Sequence, residues 1–410
     1  MKFIDGGVCA PSGFKASGVH AGVKANSPVE KLDLALVMAD KPCNAAAVFT
    51  RNVVKAAPVR LSQKRVADGR LQAIILNSGN ANACNSTEDE TAMKMSEALS
   101  GKSAVHADLI GVASTGVIGQ KLNIAAIEAA VPNLIDALGA RSSDAADAIM
   151  TTDTLRKEFA AGRVIGGKTV RIGGIAKGSG MIHPNMGTLL SVITTDCAIS
   201  SEMLDKALHS AVRESFNRIS VDGDTSTNDS CFILASGEAG NSEITEPGTD
   251  YDAFDDMLCT LCAKLAIAMA SDGEGAKHLI TCIVSSAANE DKAEAIAKSV
   301  ISSSLFKSAI FGADANWGRV LCAMGYSGEN FDPNRVDVTF RSAAGEIAVC
   351  KDGRGLPFDE PLAKAILSEH DIEVQIELNE ETEPGAFPWC MCWGCDLTYD
   401  YVKINGDYRT

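Results

Sequence analysis

Lys177-Gly-Ser-Gly-Met-Ile-His-Pro-Asn-Met-Gly-Thr188 runs directly into Leu189-Leu-Ser-Val-Ile-Thr194. A loop rich in Gly, Asn and Pro delivers a single threonine to the mouth of an apolar run that reads as a buried strand. A threonine hydroxyl is a weak nucleophile unless a base stands beside it. The one base always within its reach is the residue's own amino group, released when the preceding peptide bond is cut. Gly187 precedes Thr188, and glycine accepts the unusual backbone angles that a strained, cleavable bond needs. Taken alone, these residues read as a polar loop before a core strand, so the segments around them decide the matter.

Strands and helices are mixed on both sides of this stretch. Ala73-Ile-Ile-Leu76 and Asp108-Leu-Ile-Gly-Val-Ala113 are short buried strands, each opening into a loop where a rigid scaffold can aim polar groups. Residues 163–172 form a hairpin turning at Gly166-Gly167. Strict alternation makes Ile372-Glu-Val-Gln-Ile-Glu-Leu378 a half-buried strand, and alternation through Leu397, Tyr399 and Tyr401 predicts that the terminal segment begins as a docked strand. Leu204, Leu208, Val212 and Phe216 share one face of a helix that Ser200 or Ser201 caps. A second helix spans 251–270, and a third is expected over 290–310. Few long strand–helix–strand repeats are present, which favours an α+β sandwich over a doubly wound sheet. A cut before Thr188 would fall beside a core strand, where a domain linker would be out of place. The fragments 1–187 and 188–410 are therefore expected to interlock in one fold.

A chain of 410 residues with 46% hydrophobic content can bury a large core in about two or three domains. A net charge of -16 argues against a nucleic-acid partner, although a local basic pocket for an anionic substrate is compatible with it. The start, Met1-Lys-Phe-Ile-Asp-Gly-Gly7, lacks the layout of a signal peptide, and no apolar run is long enough to span a bilayer. A soluble, cytoplasmic protein is expected, without membrane or nucleic-acid partners. Its 13 cysteines are then expected to be reduced thiols. Cys259-x-x-Cys262 and Cys392-x-x-Cys395 have zinc-like spacing, but the first pair lies in an amphipathic helix and core packing explains it better. No metal and no cofactor are expected. Gly174-Ile-Ala-Lys-Gly-Ser-Gly180 fits neither of the common glycine-rich phosphate loops.

Ala113-Ser-Thr-Gly116, Gly273-Glu-Gly275 and the terminal run Asp396-Leu-Thr-Tyr-Asp-Tyr-Val-Lys-Ile-Asn-Gly-Asp-Tyr-Arg-Thr410 join the Lys177–Thr188 stretch in a wider pattern. With Gly13–Val19, Leu76–Asn82, Ser220–Asn228 and Phe311–Arg319, the chain resembles the ornithine acetyltransferase family over nearly its whole length. Those enzymes are glutamate N-acetyltransferases of arginine biosynthesis, made as a precursor that cuts itself before a nucleophilic threonine. The resemblance implies an αββα-type sandwich, of the kind shared with self-processing aminopeptidases, with smaller subdomains attached. It also implies a heterotetramer of two long and two short fragments.

Under that resemblance, Thr188 attacks the Gly187 carbonyl, the acyl group moves from nitrogen to oxygen, and water releases the new α-amine. Such an amine has a reference pKa of about 7.7–8.0, suited to a general base. It would take the hydroxyl proton as Thr188 attacks the acetyl group of N-acetylornithine, and glutamate would then collect the acetyl group. Thr115 and Gly116 match the family's oxyanion-hole pair. Thr151, Lys177, Glu274, Asn405 and Thr410 match its substrate contacts, with Thr152 an alternative to Thr151. His183, in the nucleophile loop, is expected only to modulate the site. Acetyl-CoA is a further candidate acetyl donor. The alternative function is a self-processing threonine amidohydrolase or aminopeptidase, in which water takes the acyl group.

Overall fold

The computed structural model describes residues 1–24, 27–183, 189–381 and 385–406. The chain divides into two compact units, and both are discontinuous in sequence. The first holds residues 1–178, 189–217 and 225–269; the second holds 179–183, 218–224 and 270–406. Each unit draws segments from both sides of residue 188, so neither coincides with the 1–187 or 188–410 fragment.

The strands of the first unit are β1 (Lys2–Ile4), β2 (Phe14–Val19), β3 (Leu34–Phe49), β4 (Arg70–Asn77), β5 (Ile110–Ser114), β6 (Lys157–Ile165), β7 (Lys168–Lys177), β8 (Leu190–Thr195) and β10 (Ser230–Ala235); β9 (Ile219–Ser220) belongs to the second unit. Its helices are α1 (Ala57–Arg65), α2 (Glu88–Ser100), α3 (Ile124–Asp136), α4 (Ser142–Ile149), α5 (Ser201–Glu214) and most of α6 (Thr249–Ser271). The sheet runs β1-β6-β7-β8-β10-β3-β4-β5, with β2 also on β3.

The long strand β3 makes this sheet into two layers. Leu34–Met38 pair with β4 and, on the other side, with β2, whereas Asn44–Phe49 pair with β10. The β3–β4 register slips between Met38 and Cys43, and that irregularity separates the two arms. Side-chain alternation then sorts the residues. Ala35, Val37, Ile74 and Leu76 join Val192, Phe232 and Leu234 of the other arm in one core, with Ala145, Ala146 and Ile149 of α4. Leu34, Leu36, Ala73 and Ile75 point the other way, into a core built with Met95 and Leu99 of α2 and Ile127, Val131 and Leu134 of α3. On the far side α5 packs on β3 and β10, while Leu261 and Leu265 of α6 press against Gly174 of β7. The layers therefore run helix, sheet, sheet, helix, as the resemblance implies.

The hairpin at Gly166-Gly167 joins β6 to β7 as expected, and Ser200 caps α5 by accepting the Met203 N–H. β8, which follows residue 188, lies between β7 and β10 and is buried along its whole length. The chain between Lys177 and Leu190 therefore connects two neighbouring strands of one sheet.

The second unit continues with β11 (Leu279–Ser285), β12 (Asp337–Ser342), β13 (Gly345–Lys351), β14 (Arg354–Gly355), β15 (Asp371–Glu377) and β16 (Trp389–Cys395). Its helices are α7 (Glu290–Ser302), α8 (Ser304–Phe311), α9 (Trp317–Gly325), α10 (Glu360–Ile366) and α11 (Tyr399–Gly406). The strand order is β14-β13-β12-β15-β11-β16-β9. Ile280, Cys282, Val374, Ile376 and Cys392 on one sheet face pack with Ile296, Val300, Phe306, Val320 and Ile366 of α7 to α10.

Two expectations are corrected here. The helix expected over 290–310 is broken at Ser303, whose extended backbone ends α7 and whose hydroxyl caps α8 by accepting the Phe306 N–H. The terminal segment, expected to begin as a docked strand, is the helix α11. Spacing Leu397, Tyr399 and Tyr401 two apart imitated a strand, but Tyr399 is exposed and the Tyr401 N–H is taken by the Thr398 hydroxyl at a helix start.

Candidate active site

Thr115 and Gly116 form the turn that leaves β5, and a buried asparagine network fixes its shape. The Thr115 N–H donates to the Asn77 carbonyl at 3.0 Å, and Asn80 bridges to both Thr115 and Val117. Asn77 in turn accepts from the Ser114 hydroxyl at 2.7 Å and donates to the Asn80 carbonyl at 2.9 Å. Gly116 has φ 130, and a Cβ there would lie 2.4 Å from the Gly79 carbonyl carbon, so only glycine fits against this loop. Among the described residues, neither the Thr115 hydroxyl nor the Gly116 N–H has a hydrogen-bond partner. Two donors on a rigid turn, one hydroxyl and one amide, are what an oxyanion requires.

Asn228 ties this turn to the start of β8. Its amide donates to the Ser114 carbonyl at 2.9 Å and the Ala81 carbonyl at 2.5 Å. Two residues on, the Ser230 N–H donates to the Leu189 carbonyl at 2.8 Å, and Ser230 pairs with Leu190 in the sheet. The chain immediately after residue 188 is thus anchored next to the strand end that carries Thr115 and Gly116. Gly187 and Thr188, the expected cleavage site and nucleophile, lie outside the described residues, as does Thr410.

Lys177 is the last residue of β7, registered opposite Leu190. It is only 7% exposed and is not a solvated loop lysine. Its Nζ lies 4.0 Å from Oδ2 of Asp153, a carboxylate with a fully buried side chain. Oδ1 of Asp153 accepts from Lys157 Nζ at 2.6 Å and from the Gly178 N–H at 2.8 Å, and Oδ2 accepts the Thr151 N–H at 3.1 Å. Burial alone would raise the Asp153 pKa. The charges of Lys177 and Lys157 and the donated hydrogen bonds outweigh it and hold the carboxyl at about 2. Thr151 and Lys177 are therefore brought together by a residue not singled out in the sequence. Asp153 and Lys157 carry a local signal, charges just after α4 and at the head of a partly buried strand, but charges at element ends are usually solvated.

The second unit assembles the other candidates. Glu274 is 6% exposed and sits between Gly273 and Gly275 just beyond α6. Its N–H donates to the Ser179 carbonyl at 3.0 Å. Asn405 of α11 donates to its Oε2 at 2.6 Å, so these two predicted contacts do meet. The carboxylate lies directly over Gly180, where a Cβ would fall 2.3 Å from its Cδ. Gly275, at φ 70, lets α11 approach, because a Cβ there would be 2.8 Å from Asp400 Cβ. Asp222 accepts the Met181 and Ile182 N–H groups at 2.6 and 2.9 Å, which fixes the backbone at those two residues. His183 bonds to the Ser220 hydroxyl at 3.1 Å, and burial together with the Lys298 charge lowers its pKa to about 4. It is therefore neutral near pH 7.

Among the described residues, no group of three or more His, Cys, Asp or Glu side chains is placed to hold a metal. Cys262 is buried within α6, and Cys392 is buried in β16. No helix among the described residues is long and apolar enough to cross a membrane.

The family model for the ArgJ family matches residues 15–410. The chain is 48% identical over 413 residues to the arginine biosynthesis bifunctional protein ArgJ of Symbiobacterium thermophilum, covering 100% of both chains. It is 42% identical to a solved chain of the arginine biosynthesis bifunctional protein ArgJ of Bacillus halodurans, at a TM-score of 0.48, over 52% of this chain and 96% of that one. It is 40% identical to a solved chain of the ornithine acetyltransferase of Mycobacterium tuberculosis, complexed with ornithine, at a TM-score of 0.41, over 45% of this chain and 98% of that one.

Proposed function

The chain belongs to the ArgJ family and is an acetyltransferase of arginine biosynthesis, and on that premise we propose how its residues carry the reaction. It transfers the acetyl group of N-acetylornithine to glutamate, giving ornithine and N-acetylglutamate. Thr188 first attacks the Gly187 carbonyl; the acyl group shifts to its oxygen, and water hydrolyses the ester to leave a free α-amine. That amine then takes the hydroxyl proton while Thr188 Oγ1 bonds to the acetyl carbon, and returns the proton to the departing ornithine amine. The amine of glutamate attacks the resulting acetyl ester and regenerates Thr188.

The observation that carries this reading is the Asn228–Ser230 tie. It sets the start of β8 beside a turn whose hydroxyl and amide donors are otherwise unused among the described residues. Thr115 and Gly116 stabilise the tetrahedral oxyanions, and one such donor is worth about 3–4 kcal/mol of barrier. Lys177, Thr151, Glu274, Asn405 and Thr410 bind substrate. The relatives named as bifunctional support a second activity, and we assign it to acetylation of glutamate by acetyl-CoA, with no resident cofactor. A cytoplasmic heterotetramer of the 1–187 and 188–410 fragments completes the proposal, and the draw of each compact unit on both fragments supports their remaining together.

Incubating the purified protein with N-acetylornithine, with and without glutamate, tests the reaction. Ornithine release that depends on glutamate is expected. Release at the same rate without it would make the protein a hydrolase instead.

A further inference from the structure

We infer that Asp153 is a positioning residue of acetyl transfer, which holds the Lys177 ammonium and the adjoining backbone in the geometry that meets substrate. The inference rests on the reading above, in which Lys177 contacts substrate.

Four groups, from the two stretches 151–157 and 177–178, converge on this one carboxylate. They are the Thr151 N–H in the turn after α4, Lys157 at the head of β6, Lys177 at the end of β7, and the N–H of Gly178, the first residue of the nucleophile loop. The two oxygens divide the work. Oδ1 is taken by Lys157 at 2.6 Å and Gly178 at 2.8 Å, which fixes the rotamer. Oδ2 is thereby aimed at Thr151 and Lys177, the two residues matched to substrate contacts. Lys157 is 1% exposed and stands one register step from the end of β7, paired with Ala176.

Packing alone does not call for this arrangement. Replacing a buried ion pair by apolar side chains of similar volume is often neutral or stabilising. A carboxylate that spends one oxygen on an internal anchor and the other on a residue at the site is instead the support shell that a preorganised site needs. A displacement of about 1 Å at such a residue can cost about 100-fold in rate.

The test is a double-mutant cycle on the purified, processed protein, reading kcat and KM for N-acetylornithine at saturating glutamate. Asp153→Asn is expected to lower kcat/KM about 100-fold in the native background. In the Lys177→Met background the same change should cost less than about 3-fold, because the residue through which it acts has gone. Equal fold-losses in the two backgrounds, or native kcat/KM in Asp153→Asn with only a lowered melting temperature, would overturn the inference. Should Asp153→Asn fail to fold, Lys157→Met carries the same cycle. Its loss of about 10-fold should vanish with Lys177→Met, and a loss that persists there counts against the inference equally. Thr188→Ala separates this from the reading beneath it. If that variant turns over, the threonine mechanism itself is wrong, whereas an inert Thr188→Ala with additive Asp153 effects removes only the positioning role.

Discussion

Thr115 offers its hydroxyl from a turn whose backbone N–H is already committed to Asn77. Thr115→Val keeps the shape and the β-branch but deletes that donor. We expect kcat to fall about 10²–10³-fold with KM little changed, measured by steady-state acetyl transfer. Unchanged kcat would remove Thr115 from the oxyanion hole. His183 supplies a prediction in pH. Its folded pKa of about 4 lies below the ordinary value, so between about 6.5 and 4 the unfolded chain binds the extra proton. The stability that His183 contributes is present above about pH 6.5 and is lost as pH falls toward 4. His183→Gln should make the decline in melting temperature across that window shallower, and an identical slope would contradict the assignment. Asp153, held at about 2, loses its contribution only below about pH 3.8, so the two windows do not overlap.

Elements place these residues, and some were easier to read than others. The spacing of Leu204, Leu208 and Val212 and the serine before them specified α5 and its cap, because both are local signals. The division of β3 into two arms was not legible. It arises from which strands pair with each half of a continuous apolar run, a tertiary choice that periodicity does not encode. The tail was misread because spacing by two is ambiguous over so few residues, and what decides α11 is its docking on Gly275. That contact is testable. Gly275→Ala adds a side chain at φ 70, where the left-handed backbone alone costs about 1–2 kcal/mol, and it pushes on Asp400. Faster amide exchange across Tyr399–Gly406 and a raised KM are expected, since Asn405 then leaves Glu274. Native exchange rates in that helix would show that the close approach is dispensable.

For the molecule as a whole, the order of long motifs made the layered fold and the family legible, whereas composition only bounded them. The candidate residues proved to fall into compact groups: Thr115 and Gly116 on the asparagine network, Thr151 with Lys177 on Asp153, and Glu274 with Asn405. The supporting roles of Asp153, Asp222 and Asn228 escaped notice because each ties its residue to a segment distant in sequence, and the local Asp153–Lys157 pair reads as ordinary surface charge until its burial is seen. All of the proposed chemistry depends on a terminus that the intact chain does not possess. The most direct measurement is the mass of denatured, fully active protein, with sequencing of the fragment termini. The account predicts two fragments, one ending at Gly187 and the other beginning with Thr188, and an uncut, inactive chain for Thr188→Ala. A single intact species of 42.9 kDa in protein with full acetyl-transfer activity would contradict it.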